Sequence, residues 1–167
     1  LALQATCYRR LGDWTVAGGL GATPEASFLY RFTIEGHLSR RVAGTVVATA
    51  GYRYLEYPAV SIHQPQPALT WYHRRGEVEG RLFLTLNPDR DRTSATLLLR
   101  ALQDVSGRVR LGGGVSYGDR IFDIASLPEV DQRAWQAHGW VRFGLTPRDF
   151  LVVGGALAHE RPDFDLK

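Results

Sequence analysis

The sequence contains no methionine and a single cysteine, Cys7, among its 167 residues. One cysteine excludes an internal disulfide framework and any cysteine-rich metal site. Long apolar runs are also missing: nothing approaches the roughly 18 consecutive apolar residues of a membrane-crossing helix. A β-barrel escapes that test, because its strands place lipid-facing apolar residues only at alternate positions. No charged start followed by a small-residue cleavage site is visible, so the numbering is expected to begin inside a mature protein. The net charge of +3 and pI near 9.3 raise the question of nucleic acid. The arginines, however, are spread at alternating positions instead of forming a basic patch, which argues against a nucleic-acid partner.

What is present is alternation. From Ser27 to Arg41, Phe28, Tyr30, Phe32, Ile34, Gly36 and Leu38 share one parity, while Arg31, Thr33, Glu35, His37, Ser39 and Arg41 share the other. Successive side chains on a strand point to opposite faces, so one face is apolar and the other charged. A helix would mix the two sets. Segment after segment repeats the pattern. Val46 to Tyr54, Leu69 to Arg74, Val78 to Asn87, Val109 to Tyr117 and Trp135 to Phe143 are clear, and 4–11, 14–22, 93–104 and 149–160 are weaker. Ten antiparallel strands are predicted, several with the roughly nine to eleven residues needed to cross a bilayer on a tilted path.

The links alternate as well. Gly12-Asp13, Val42 to Gly44, Arg75-Gly76, Asp104 to Gly107 and Thr146 to Asp149 read as tight turns. Between them lie longer links at Thr23 to Ala26, Pro58 to Gln66, Pro88 to Arg92 and Gly118 to Arg133. Short periplasmic turns and longer external loops are the pattern of an up-and-down outer-membrane barrel. With the turns periplasmic, both ends of the visible series lie outside. One further strand is then expected before Leu1 and one after Lys167, twelve in all.

A soluble all-β domain, such as a lipocalin-like binding barrel, shows the same alternation with its apolar face inward. Two features weigh against it. The apolar face is rich in Ala48, Ala50, Gly80, Gly113, Ala137 and Gly139, which would fill a core poorly. The polar face carries opposite charges at strand-interior positions, as a lumen filled by ion pairs requires. The expected lumen network comprises Arg31, Glu35, His37, Arg53, Glu79, Arg81, Arg110 and Arg142. Trp14, Tyr57, Trp71, Tyr117, Trp135 and Phe150 fall near strand ends, where barrel girdles lie.

The sequence resembles the YaiO family of outer-membrane β-barrel proteins at Ala22 to Phe28, Gly51-Tyr52-Arg53-Tyr54, Arg81-Leu82-Phe83 and Gly118 to Asp123. The resemblance implies an outer-membrane barrel, sometimes attached to a periplasmic helical-repeat domain. It implies no reaction and no substrate.

Candidate chemistry is thin. His37 shares a face with Glu35 and Ser39, but a lumen ion network with Arg31 and Arg41 accounts for it better than a catalytic relay. His138 reads as a lumen residue, His73 as turn-adjacent, and His63 and His159 as loop residues. HExxH and Cys/His zinc spacings are absent. Gly112-Gly113-Gly114 lacks the Lys-Ser/Thr of a phosphate loop and falls within a strand. The loop from Gly118 to Arg133, with Asp119, Arg120, Phe122 and Asp123, reads as a folded-back lid. No catalytic residue, metal or cofactor is expected. The partners expected are outer-membrane lipid, lipopolysaccharide and an attached repeat domain or exported polymer. The predicted function is a structural or transport barrel of the bacterial outer membrane, with a lipid- or envelope-modifying enzyme as the alternative.

Overall fold

A chain of alternating polarity must give every backbone N–H and C=O a partner while keeping its two faces apart. Antiparallel pairing of each segment with the next does both. The computed structural model describes residues 3–23, 30–119, 132–146 and 149–162. In it the strands are β1 (Leu3–Leu11), β2 (Trp14–Ala22), β3 (Phe32–Ala43), β4 (Val46–Glu56), β5 (Ser61–Pro65), β6 (Ala68–His73), β7 (Gly76–Asn87), β8 (Arg92–Ser106), β9 (Val109–Asp119), β10 (Gln132–Gly144) and β11 (Phe150–Pro162). All pair antiparallel in one sheet that runs in chain order from β1 to β11. Glycine supplies the left-handed backbone at two of the tight turns, Gly12 at φ 61° and Gly44 at φ 43°.

The eleven segments occupy ten positions in the sheet, because β5 and β6 share one. Arg53 faces Gln64 and Thr49 faces Ala68 in a single register along β4. Gly51 and Gln66 exchange both backbone hydrogen bonds in the gap, at 3.2 and 2.7 Å. Pro65 and Pro67 have no N–H to donate, which interrupts the ladder without shifting it. Much of the expected loop Pro58 to Gln66 is therefore wall. His63 is a strand residue there, packed against Tyr54 with ring centroids 5.2 Å apart. His159, also expected in a loop, lies in β11 opposite Trp135. Strand β8 runs on to Ser106 through an irregularity between Asp104 and Ser106, so Asp104 is not a turn residue. The expected strand from Ser27 begins at Phe32, and residues 24–29 lie outside the described ones.

Cross-strand partners share a face, so the register sorts every strand residue. One row runs Ser39, Thr49, Ala68, Arg81, Leu98, Ser116 and Gln136. The opposite face carries Ile34, Leu38, Tyr52, Leu69, Trp71, Leu82, Leu99, Leu111, Val115, Val141 and Phe143. A cavity of about 430 Å³ is lined by residues of β4, β5, β7, β8, β9 and β10 together. Strands so far apart along a sheet can meet around one space only if the polar face is concave.

Burial is inverted relative to a water-soluble protein. Glu79 is 5% exposed and Gln66 1%, while Leu69 is 58% and Trp71 52%. Those values contradict an apolar-core barrel and match a lipid-facing outer wall around a polar lumen. Phe32, Val46, Leu82 and Leu84 lie on the outer face with intermediate exposure. Aromatics mark both margins of that face, Trp14 and Trp71 near the turns, Tyr54, Tyr117 and Trp135 near the loops. From Phe32 to Arg40 the path is about 27 Å at ~3.4 Å per residue, enough when tilted for most of a ~25 Å apolar band.

Leu99 sits at mid-length in β8 on the outer face and is 46% exposed. Leu99→Arg is expected to lower stability in a bilayer by about 2–4 kcal/mol, measured by equilibrium unfolding from vesicles. A change near zero would mean that this face meets water.

Candidate functional site: the charged lumen

The lumen is layered along the barrel axis. At mid-height, adjacent strands put Thr70, Glu79 and Arg100 side by side in β6, β7 and β8. Glu79 accepts from Arg81 Nε at 3.0 Å, from Arg100 Nη2 at 3.1 Å and from the Thr70 hydroxyl at 3.3 Å. Arg81 also donates to Gln66 Oε1 at 3.4 Å, Gln66 donates to Gln64 at 2.8 Å, and Gln64 donates to Thr85 at 3.0 Å. One buried carboxylate thus holds two guanidiniums, and a chain of amides carries the network toward the loop end. A buried charge left unpaired would be costly, and this arrangement satisfies both oxygens.

A second pair lies next to it. Arg53 of β4 donates to Glu35 of β3 at 2.8 and 3.2 Å, with the arginine side chain 39% exposed. His37 stands between the two groups, in the field of Arg81, Glu35, Arg53 and Glu79. Its Nδ1 has no hydrogen-bond partner. The Ser39 hydroxyl is 2.9 Å from that of Thr49, and Glu35 is taken by Arg53. Serine, histidine and acid share a face but do not form a relay, which requires each to bond the next.

At the turn end, Asp104 accepts from Arg110 at 2.6 and 3.0 Å. The two belong to a cavity of about 570 Å³ that also takes in Arg108, Arg142 and Asp149. Arg142 lies over the Phe150 ring at 5.4 Å and makes no ion pair among the described residues. At the opposite, loop end, the 430 Å³ cavity is lined by Leu55, Ile62, Phe83 and Leu98 with Gln136 and His138. The lumen there is the least polar. The 3-10 turn Pro88–Arg90 closes over this end of the wall, with Asp89 accepting from the Ser61 amide and hydroxyl at 2.7 and 2.9 Å. Those two bonds hold the Asp89 carboxyl below its ordinary range.

The expected network of eight residues is therefore not one network. Glu35 with Arg53, Glu79 with Arg81, and Arg110 form three groups, and Arg142 lies beside Arg110 as its cross-strand partner without an ion pair among the described residues. Arg31 is exposed ahead of β3 and makes no ion pair among the described residues. Its backbone still bonds both neighbours, the amide to the Glu56 carbonyl at 2.7 Å and the carbonyl to the Thr23 amide at 2.9 Å, at the loop margin of the wall. Arg100 and Asp104 escaped the sequence reading: the first lies in a weakly alternating strand, the second where a turn was expected. Asp119, expected in the lid, ends β9, and Arg120, Phe122 and Asp123 lie outside the described residues. The triple glycine also has a structural use. A Cβ on Gly112 would lie 2.4 Å from the Trp140 ring, so that indole occupies the lumen only over glycine.

Hairpin geometry gathers charge that the sequence spreads. Arg9 and Arg10 precede the first tight turn, Arg40 and Arg41 the second, and Arg74-Arg75 form the third. Arg108 and Arg110 flank the fourth, and Arg142 precedes the fifth. Antiparallel pairing in chain order puts all five turns at one end of the wall.

The model of the family described as YaiO membrane beta barrel domain matches residues 1–120. No curated protein and no solved structure matches the chain. The chain belongs to the YaiO family.

Glu79→Ala leaves two guanidiniums around an emptied site and is expected to cost about 3–5 kcal/mol. Glu35→Ala removes the partner of a more exposed arginine and should cost about 1 kcal/mol or less. Equilibrium unfolding of both variants from vesicles checks the order. Equal losses would mean that the mid-height network is not the lumen's anchor.

Proposed function

We propose that this domain is an outer-membrane β-barrel of a bacterial envelope with a structural or gated-transport role, and that it does not work as an open pore or an enzyme. One observation carries the reading: the Glu79–Arg81–Arg100 group, extended by Gln66 and Gln64, projects mutually bonded side chains from β5 through β8 into the lumen at mid-height. A passive pore needs a continuous water path, whereas here bulky polar side chains of neighbouring strands are bonded to one another inside the lumen. Each bond also ties neighbouring strands together, so the network stiffens the wall as it narrows the lumen. Transport through it, including export of a polymer delivered from the periplasm, would require these pairs to part, and an attached periplasmic domain is the natural source of that force. The short turns, on this reading, face the periplasm. The engaged Ser39 and Glu35 around His37 support the non-catalytic side of the proposal.

Planar-bilayer recording of the complete protein tests it. The unmodified barrel is expected to show no sustained open level, and the double variant Arg81→Ala/Arg100→Ala to show a raised, long-lived conductance. A large steady conductance in the unmodified protein would contradict the filled lumen. Hydrolysis of phospholipid or lipopolysaccharide that disappears in His37→Ala, with folding intact, would replace this function with an enzymatic one.

A further inference from the structure

We propose that the turn end of the barrel is an arginine ring that docks on anionic phospholipid headgroups of the leaflet it faces. The proposal rests on the outer-membrane reading for which leaflet that is, and on the register alone for the ring. Each of the five turns at that end carries or adjoins arginine. Arg9, Arg41, Arg74, Arg75 and Arg108 are exposed and make no ion pair among the described residues. Of the nearby carboxylates, Asp104 is paired with Arg110 and Glu77 lies 3.8 Å from Arg100. Asp13 in the first turn and Asp149, bonded to the Thr146 hydroxyl at 2.6 Å, keep their charge against the larger number of arginines. Positive charge at this rim is thus largely uncompensated by the protein itself.

Direction and depth point to lipid. Arg9 pairs with Val16 and Arg40 with Trp14, both on the outer face. The Arg40 guanidinium lies 5.1 Å over the Trp14 ring. Tryptophan sits at headgroup depth in spanning proteins, so this stack holds a guanidinium at the level of lipid phosphates. Stacking uses the face of the guanidinium and leaves its edge N–H groups to grip phosphate oxygens in pairs, which a lysine ammonium cannot do. No lysine lies at this rim: the chain's one lysine is Lys167. At the loop end, by contrast, Glu56, Asp89 and Asp91 accompany Arg31, Arg90 and Arg92 in equal number. Short turns face the periplasm in outer-membrane barrels, where the leaflet is phospholipid, so phosphatidylglycerol-type headgroups are the occupant and not lipopolysaccharide.

The test compares the thermal unfolding midpoint of the barrel in phosphatidylcholine vesicles and in vesicles with phosphatidylglycerol mixed in. The unmodified protein is expected to gain about 5 °C in the anionic vesicles at low salt, and to lose that gain by ~0.5 M salt as screening shortens. The combined variant Arg9→Ser/Arg40→Ser/Arg74→Ser/Arg75→Ser should lose most of the gain, and Arg31→Ser at the other end should keep it. Should the combined variant fail to insert, the salt series on the unmodified protein carries the test alone. Insertion with equal midpoints, a salt-independent gain, or a gain retained by the combined variant would overturn the ring. A larger gain from lipopolysaccharide, lost in the same variant, would move it to the other leaflet and equally overturn the proposal. Failure to insert into either vesicle would bring down the barrel reading together with it.

Discussion

Every feature of this protein depends on keeping the sheet's two faces apart. A side-chain period of two means that a slip of one residue would send a whole strand's charges into lipid and its apolar residues into the lumen. Apart from one-residue irregularities at the turn ends of β3 (Arg41/Ala43) and β8 (Asp104/Ser106), the register carries no such slip from β2 to β10, including across the proline-interrupted β5–β6 position. Hydrocarbon cannot hydrogen-bond, so the same pairing that sorts the faces also satisfies the backbone. The buried Glu79 group is the counterpart inside: it penalises any register that would separate β6, β7 and β8.

From this constraint follows the layering of the lumen. Charged pairs need neighbours on adjacent strands, and they occur where long strands run side by side in register, at Glu35–Arg53 and Glu79–Arg100. Toward the loops, Leu55, Ile62, Phe83 and Leu98 replace them, and the space widens. Toward the turns the wall ends in arginine. A lumen crossed at mid-height by bonded charged side chains suits a stiff wall or a gate better than a sieve.

Much of this was legible in the sequence, because alternation over eight or more residues has one structural meaning. Phe32, Ile34, Leu82 and Arg81 fell on the faces their parity required. Where sequence reasoning stopped, there is a physical cause. Pro65 and Pro67 looked like loop residues because proline withholds a donor, yet the ladder tolerates both. Asp104 sat among turn-forming neighbours, yet it pairs in register with Arg110, and the irregularity comes only after it. Arg100 follows Leu97-Leu98-Leu99, where apolar residues on both faces blur the period. Arginines that seemed evenly spread gather at one end once hairpins fold them back, which no linear reading of charge shows.

The central claim is that the outer face meets lipid and the inner face does not. Two single-tryptophan variants separate these faces: one keeping Trp71, 52% exposed on the outer wall, and one keeping Trp140, which packs over Gly112 inside. Fluorescence in vesicles whose acyl chains carry bromine measures direct contact with hydrocarbon. The account predicts strong quenching of Trp71 and little of Trp140. Quenching of Trp140 with Trp71 left bright would contradict it.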